Sequence, residues 1–237
     1  MFDTFEFDPT RFLGYLLGFV IGTTIHEFMH AYSAYLLGDN TAQREGRITL
    51  NPAAHFDPFG FIMGVLLALG IGFLAWGKPV PVNPYALRFG RRGMAIVAVA
   101  GPLSNLALAG VLTIIFKLGG GNLPLQPGAL FSTDVQLVLI YMISINILLF
   151  AFNLIPIPPL DGFNIMVGIL PNYWTIILEP LRRYSLPILL GMVFFLPYIG
   201  RSVETVVPGL SLDPVHAALD PVISLLGRLF FGVPIFG

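Results

Sequence analysis

A motif of two histidines and a glutamate lies within a stretch that is long and apolar enough to cross a lipid bilayer. Residues 12–37 are predicted to form one helix, which at about 1.5 Å per residue exceeds the roughly 30 Å of a hydrocarbon core. His26, Glu27 and His30 form an H-E-x-x-H sequence in the middle of it. Because residues i and i+4 share a helix face, His26 and His30 point the same way and Glu27 lies one step around. This spacing predicts a pair of metal ligands with a carboxylate near a metal-activated water.

The apolar setting strengthens this interpretation of the motif. A charged group in hydrocarbon costs a few kcal/mol and is usually retained for a function. The competing interpretation is a pair of core histidines hydrogen-bonded to neighbouring helices, which leaves Glu27 without a partner. Gly18, Gly22 and Ala34 continue the histidine ridge and predict that another helix packs closely against it.

The composition places the chain among polytopic membrane proteins. It is 56% hydrophobic and 11% charged, whereas charged residues make up about a quarter of a soluble domain. The net charge of -1 gives no reason to expect a nucleic-acid partner. Cysteine is absent, so a zinc site must use histidine and carboxylate ligands. We predict an all-α polytopic membrane protein with about five to six membrane segments and short extended or β-like loop elements, forming a single membrane-embedded domain over residues 1–237.

The remaining apolar segments differ in how clearly they predict a membrane span. Residues 94–117, 135–155 and 185–199 are predicted to span the bilayer. Residues 59–76 and 214–233 either span it or form re-entrant or interfacial segments, and the sequence leaves both alternatives open.

The connections between these segments carry weaker signals. Residues 41–50 alternate weakly and predict a short strand or an interfacial loop. Residues 77–84 hold three prolines, which forbid a helix and favour an extended chain. This segment either pairs with an extended substrate strand or is an ordinary connection.

Two later motifs place polar side chains at membrane depth. Asn105 follows a glycine and a proline in the predicted span at residues 94–117, and we interpret it as a residue near an active site. Helix packing explains the glycine and proline equally well. Asp161 follows the prolines of residues 156–159, which end the preceding helix. Broken backbone at membrane depth is tolerated where it is buried in protein or lines a wet cavity. A divalent metal is the natural partner for an aspartate there.

Three motifs in this order resemble the site-2 protease family of intramembrane zinc metalloproteases. They are the H-E-x-x-H sequence of residues 26–30, Gly101-Pro102-Leu103-Ser104-Asn105, and the N-L-I-P-I-P-P-L-D-G sequence of residues 153–162. The resemblance covers about residues 12–170, the expected catalytic core, and is to compact members that lack a PDZ domain.

The resemblance implies the role of each site residue. His26, His30 and Asp161 would bind Zn²⁺, Glu27 would be the catalytic base, and Asn153 would lie beside the metal and stabilise the oxyanion. A zinc ion with three protein ligands activates water in a setting where little water exists. The implied activity is zinc-dependent endoproteolysis of transmembrane or membrane-proximal segments, and the implied partners are a membrane-protein or peptide substrate and the lipid bilayer. The chain is expected to be a multi-pass protein of a bacterial or archaeal plasma membrane.

Several alternatives remain open at this stage. His55 is either a third zinc ligand in place of Asp161 or, as we favour, a gating or structural residue. The rival functions are a metal-ion transporter whose histidines and aspartate form a pathway, and a catalytically silent membrane scaffold.

The loop cations predict a membrane orientation only if every apolar segment spans. The cytoplasmic side would then carry Arg11, Lys78, Arg88, Arg91, Arg92, Arg182 and Arg183. A re-entrant segment at residues 59–76 would remove this assignment.

Overall fold

The computed structural model describes residues 7–71, 74–123, 125, 130–204 and 213–232, and it describes no side chain at 201–204 or 214–216. In chain order the helices are α1 (Pro9–Leu36), α2 (Thr41–Arg44), α3 (Pro58–Ala68), α4 (Arg91–Leu118), α5 (Thr133–Asn153), α6 (Asp161–Ile169), α7 (Asn172–Leu178), α8 (Ser185–Leu190), α9 (Leu196–Glu204) and α10 (Pro214–Phe231). Short 3-10 turns occupy Pro52–His55 and Glu179–Tyr184, and a π turn occupies Gly191–Phe195.

The predicted all-α membrane class is confirmed, and the described residues contain four helical stretches long and apolar enough to span a bilayer. They are Pro9–Leu36, Arg91–Leu118, Thr133–Asn153 and Asn172–Gly200. The prediction of five to six segments counted residues 59–76 and 214–233, and neither stretch forms such a helix in the described structure. The helical stretch predicted at 185–199 begins earlier, at Asn172.

Local sequence signals determine where α1 begins and ends. The Asp8 side chain accepts hydrogen bonds from the backbone N–H groups of Thr10 and Arg11, at 2.9 and 3.1 Å, and Pro9 occupies the first turn. Gly38, with a φ of 102°, turns the chain away after the last helical residue.

Three spanning helices form the core around the functional site. Helices α1, α4 and α5 pack pairwise against one another, and α6 packs against α4. Close approach depends on glycine: a Cβ at Gly18 would lie 2.8 Å from the Met142 Cα, so α5 occupies the small-residue ridge of α1. The interior between α4 and α5 is apolar, with Phe116, Ile143 and Ile147 almost fully buried.

The described residues between α1 and α4 contain no helix long enough to span a bilayer. Helix α3 has 11 residues, about 16 Å at 1.5 Å per residue, which is roughly half of a hydrocarbon core. It ends because Gly70 adopts a φ of 82°. Residues 41–50 contain helix α2 rather than a strand, and no strand occurs anywhere in the described ranges. Residues 77–83 form neither helix nor strand, in agreement with the prolines that forbid a helix there.

Hydrogen bonds join the end of α1 to the chain entering α4. The Leu37 carbonyl accepts from the Arg88 N–H at 2.8 Å, and the Asp39 carboxylate accepts from the Asn83 N–H at 2.6 Å. Burial alone would raise the pKa of Asp39, but hydrogen bonds from Thr41 and Asn83 outweigh it and lower that pKa. The end of α1 and the beginning of α4 therefore lie at the same face of the bundle. The membrane orientation predicted from the loop cations required residues 59–76 to span, so it does not hold.

This arrangement predicts that the loops after α1 and after α4 lie on opposite sides of the membrane. Single cysteines at Gln43 and Asn122, both exposed, should react oppositely with an impermeant maleimide in intact cells. The parent chain has no cysteine and serves as the unlabelled control. Because most loop cations then lie with residue 43, the positive-inside rule predicts that Asn122→Cys is labelled in intact cells and Gln43→Cys only after permeabilisation. Equal labelling of both would show that α3 spans after all.

Candidate metal centre

The structure brings His26, His30 and Asp161 together at the centre of the helical bundle. The two histidines lie one turn apart on α1, and Asp161 is the first residue of α6. The loop before α6 folds tightly, since a Cβ at Gly162 would lie 2.3 Å from the Leu154 carbonyl oxygen. Glycine at that position therefore allows the broken segment to turn and present the preceding aspartate to α1.

The three candidate donor atoms form a compact triangle. His26 Nε2 and His30 Nε2 are 2.9 Å apart, and Asp161 Oδ2 lies 3.1 Å from the first and 3.2 Å from the second. Tetrahedral zinc, with ligand bonds near 2.0 Å, holds its donor atoms about 3.3 Å apart. The triangle therefore matches zinc in size and in donor chemistry, and it is the one such histidine and carboxylate group within the described residues.

The hydrogen bond made by Nδ1 of each ring determines whether Nε2, which faces the centre, carries a proton or a lone pair. His30 Nδ1 lies 2.8 Å from the Val97 carbonyl oxygen, which can only accept, so this nitrogen carries the proton. His26 Nδ1 lies 2.7 Å from Asn105 Oδ1 and likewise donates. When neutral, both rings thus turn an unprotonated Nε2 toward Asp161.

A cation resolves the resulting electrostatic problem. Asp161 Oδ2 is buried and receives no hydrogen bond from any residue that the structure describes. Three lone pairs that converge in a buried site repel one another, and leaving such groups unpaired is costly. The residues present therefore fit a divalent metal.

A buried amide pair supports the first histidine from behind. The Asn105 amide donates to the Gly22 carbonyl at 3.1 Å and to Asn146 Oδ1 at 3.0 Å, which leaves its own oxygen for His26. Asn146 in turn donates to the Gly18 and Met142 carbonyls, at 3.2 and 2.9 Å. Both asparagines are fully buried, so the chain of hydrogen bonds holds the His26 ring in one orientation.

The sequence interpretation placed Asn105 near the site but did not identify Asn146 as its partner. Asn146 had a detectable signal, because an asparagine at membrane depth requires partners. The Val97 carbonyl offered no signal, since any residue can supply a backbone oxygen.

Glycine 101 allows α4 to approach the two rings. A Cβ at this position would lie 2.4 Å from His30 Nε2 and 2.7 Å from His26 Nε2. Any side chain there would occupy the space beside the donor atoms. The glycine of the G-P-L-S-N motif is therefore explained by closeness to the candidate metal ligands.

Glu27 lies next to the ligand set but contacts a different part of the chain. Its carboxylate accepts a hydrogen bond of 2.9 Å from the Val80 N–H, in the proline-rich segment of residues 77–84. That segment is held by Arg47, which is buried and donates to the Lys78 and Pro79 carbonyls, and by the Lys78 N–H, which bonds to the His55 carbonyl at 2.9 Å. The sequence did not predict that this segment would reach the Glu27 carboxylate.

His55 and Asn153 do not join the triangle. His55 is buried in the 3-10 turn, with its Nε2 2.9 Å from the Thr49 carbonyl oxygen, which agrees with the structural role favoured over ligation. Asn153 is the last residue of α5 and donates its side-chain amide to Leu149 of the same helix, at 2.9 Å. Its proposed oxyanion role requires that this amide turn away from Leu149.

Removing the amide behind His26 should weaken metal binding without unfolding the bundle. Asn105→Ala frees the ring to rotate, and losing such an outer partner typically lowers metal affinity about 10- to 100-fold. Competition for zinc with a chromophoric chelator measures this change. Thr113→Ala is the matched control, because Thr113 is buried on the same helix and bonds only to Ala109 within it. Equal affinities for both variants would mean that Asn105 does not orient the ligand.

A comparison with known protein families identifies one matching family. The profile of Peptidase family M50 matches residues 120–196, the region that holds Asp161. No solved structure gives a significant match to the chain.

Curated relatives match a larger part of the chain than the family profile does. YwhC of Bacillus subtilis strain 168, named as a zinc metalloprotease, is 40% identical over 172 residues, which cover 71% of this chain and 75% of the relative. Rip2 of Mycobacterium tuberculosis strain H37Rv, also so named, is 29% identical over 192 residues, covering 80% of this chain and 69% of the relative. MJ0611 of Methanocaldococcus jannaschii is also named as a zinc metalloprotease. It is 35% identical over 129 residues, covering 54% of this chain and 60% of the relative.

Proposed function

The chain belongs to peptidase family M50, the site-2 protease family of zinc metalloproteases, and on that premise we propose that it cleaves transmembrane or membrane-proximal segments of other membrane proteins. As a member of this family, the chain is a membrane-embedded, zinc-dependent protease. The relatives are bacterial and archaeal. The transporter and scaffold alternatives lose their support, because the relatives are named for an enzymatic activity.

The observation that supports an intramembrane site is the position of the two histidine donors on a spanning helix, where Asp161 reaches them from α6. His26 and His30 lie in the middle of the Pro9–Leu36 span, and Gly101, which packs against them, lies within the Arg91–Leu118 span. A peptide bond that reaches these atoms must enter the membrane-spanning part of the protein. We infer that the substrate is itself a membrane segment or the chain next to one.

We assign the roles of the residues from their chemistry. His26 Nε2, His30 Nε2 and Asp161 Oδ2 would hold zinc, which when bound acts as a Lewis acid that acidifies water and polarises a carbonyl. Glu27 would take the proton of the attacking water on its carboxylate and deliver it to the leaving nitrogen. Asn153 would donate its amide to the developing oxyanion.

The substrate must also lose its helical hydrogen bonds at the cleavage site. A transmembrane helix has all of its amides bonded internally, so the scissile bond is reached only after local unwinding. The proline-rich segment of residues 77–84 contacts Glu27 through the Val80 N–H. Its prolines have no N–H to donate, so it forms few internal hydrogen bonds. We propose that an unwound substrate passes alongside this segment.

Cleavage of a defined membrane peptide tests the proposal. The full chain, reconstituted with zinc in liposomes, should cut a single-span peptide within or beside its apolar stretch, and mass spectrometry of the products locates the cut. A soluble unfolded protein without an apolar segment is the control substrate and should be cut far more slowly. Efficient cleavage of the soluble substrate alone would contradict the intramembrane assignment.

A further inference from the structure

Two cavities adjoin at the beginning of helix α4, and the described residues that line them do not include the candidate metal ligands. The larger, about 1090 Å³, is an apolar groove along α4 with walls from α1 and α6. The smaller, about 510 Å³, is more polar and is lined by Phe89, Arg91, Arg92 and residues 168–172. Arg92, Gly168 and Ile169 line both, so the polar cavity and the apolar groove adjoin one another.

The combined cavity is divided in the same way as a bilayer. Helix α4 has 28 residues, about 42 Å, and therefore extends beyond a hydrocarbon core of about 30 Å at its ends. Its first residues, including Arg92, lie at headgroup level, while the part of the groove lined by Ala100, Ala107 and Val111 lies within the hydrocarbon layer. Phe89 and Tyr85, which are 72% and 100% exposed, lie in the preceding loop, as expected of aromatic side chains at an interface.

The two arginines at this junction have different environments. Arg91 is fully engaged: it donates to the Val167 carbonyl at 3.1 Å and to the side-chain oxygens of Thr175 and Asn172, which shapes the wall of the polar cavity. Arg92 is exposed, and the structure gives its guanidinium no carboxylate or hydrogen-bond partner among the described residues. An unneutralised cation therefore lies where the polar cavity and the apolar groove join.

We propose that this combined cavity binds an anionic phospholipid. The phosphate lies in the polar cavity beside Arg92, and an acyl chain follows the apolar groove along α4. The inference is independent of the proteolytic function: of the residues described, the lining includes Ile25 and Met29 on α1 but not His26, Glu27, His30 or Asp161. The lipid thus occupies an accessory site and leaves the metal centre free.

Charge complementarity favours a lipid over a substrate helix as the occupant. A spanning helix is apolar within the hydrocarbon layer and carries no phosphate to place beside Arg92. A phospholipid offers an anionic group and an apolar chain in the same order as the cavity offers Arg92 and the groove. Basic pockets beside spanning helices at the cytoplasmic side are typical sites for anionic headgroups.

Binding of defined lipids to the full chain tests this proposal without any measurement of proteolysis. Delipidated protein in detergent is titrated with phosphatidylglycerol or with phosphatidylcholine of the same acyl chains, and bound lipid is counted by native mass spectrometry. The wild type should prefer phosphatidylglycerol, and Arg92→Gln should lower its affinity for that lipid about fivefold, the effect of one interfacial arginine. Arg88→Gln, which removes an exposed cation that lies in the loop before α4 and lines neither cavity, should change it less than twofold.

A second variant tests the apolar part. Ala107 is exposed and lines the groove, so Ala107→Trp should fill it without disturbing the core and lower binding of both lipids.

Several results would overturn the proposal. Equal losses for Arg88→Gln and Arg92→Gln would indicate general surface attraction instead of a site. Competition by glycerol 3-phosphate as strong as that by the lipid would indicate a site for soluble phosphates. If Ala107→Trp retained lipid binding but abolished cleavage of the single-span peptide, the groove would hold the substrate.

Discussion

Replacing Glu27 with glutamine is expected to abolish peptide cleavage while zinc remains bound. The amide keeps the size of the side chain but cannot take a proton from water, and a positioned general base typically contributes a factor of about 100 to 10,000 in rate. Zinc binding should persist, because the Glu27 carboxylate bonds to the Val80 N–H and its atoms are not part of the donor triangle. The measurement is initial cleavage rate together with zinc content by inductively coupled plasma mass spectrometry.

A matched variant separates this effect from a general loss of negative charge. Glu45 is exposed in the loop after α2, and Glu45→Gln should leave both cleavage and zinc content near the wild-type values. If Glu27→Gln lost zinc as well, the residue would be acting on the ligand set and the assignment as base would fail. Zinc transport by a wild type without peptidase activity, persisting in Glu27→Gln, would instead support the transporter alternative.

Replacing Asp161 with alanine is expected to reduce zinc from about one per chain to near zero. The change removes one of three donors and leaves two neutral imidazoles, and a site with two protein ligands falls short of the three that catalytic zinc sites use. His55→Ala should retain zinc, because His55 bonds to the Thr49 carbonyl and lies outside the donor triangle. Both are measured after dialysis against a weak chelator, with helical content by circular dichroism as the folding check.

The prediction is tested by comparing the zinc content of Asp161→Ala with that of His55→Ala. Equal zinc loss would mean that His55 supplies a ligand or that its turn supports the whole site. Asp161→Asn adds a second measurement that does not depend on folding of the alanine variant. Asparagine keeps the shape of the side chain but removes its negative charge. This variant should therefore weaken zinc binding while preserving the helical content.

Some parts of the fold were predictable because their causes are local. Hydropathy over about 20 residues predicts a span wherever it occurs, and α1, α4 and α5 agree with the predicted segments. The segment at 59–76 was ambiguous for a physical reason, since its apolar residues suit a full span and a short buried helix equally. Its length was decided by Gly70, whose positive φ ends α3 after 11 residues.

The candidate metal site likewise has one part that local sequence predicts and one part that depends on the tertiary fold. That His26 and His30 share a face follows from helix geometry alone. That Asp161 reaches them depends on the folding of the loop before α6 against Gly162. The motif resemblance implied this meeting, but the spacing of 131 residues between His30 and Asp161 in the sequence could not.

The sequence by itself determined the membrane class, the paired histidines and the residue types available for zinc, because hydrophobicity and helical periodicity act over a few turns. The tertiary structure alone decided which nitrogen of each ring faces the centre, that Asn146 supports Asn105, and that the Val80 N–H reaches Glu27. These are contacts between groups far apart in the chain, and they form where glycines such as Gly22 and Gly101 let helices approach within the reach of a hydrogen bond. No local pattern encodes such contacts, since their energy exists only after the helices have packed.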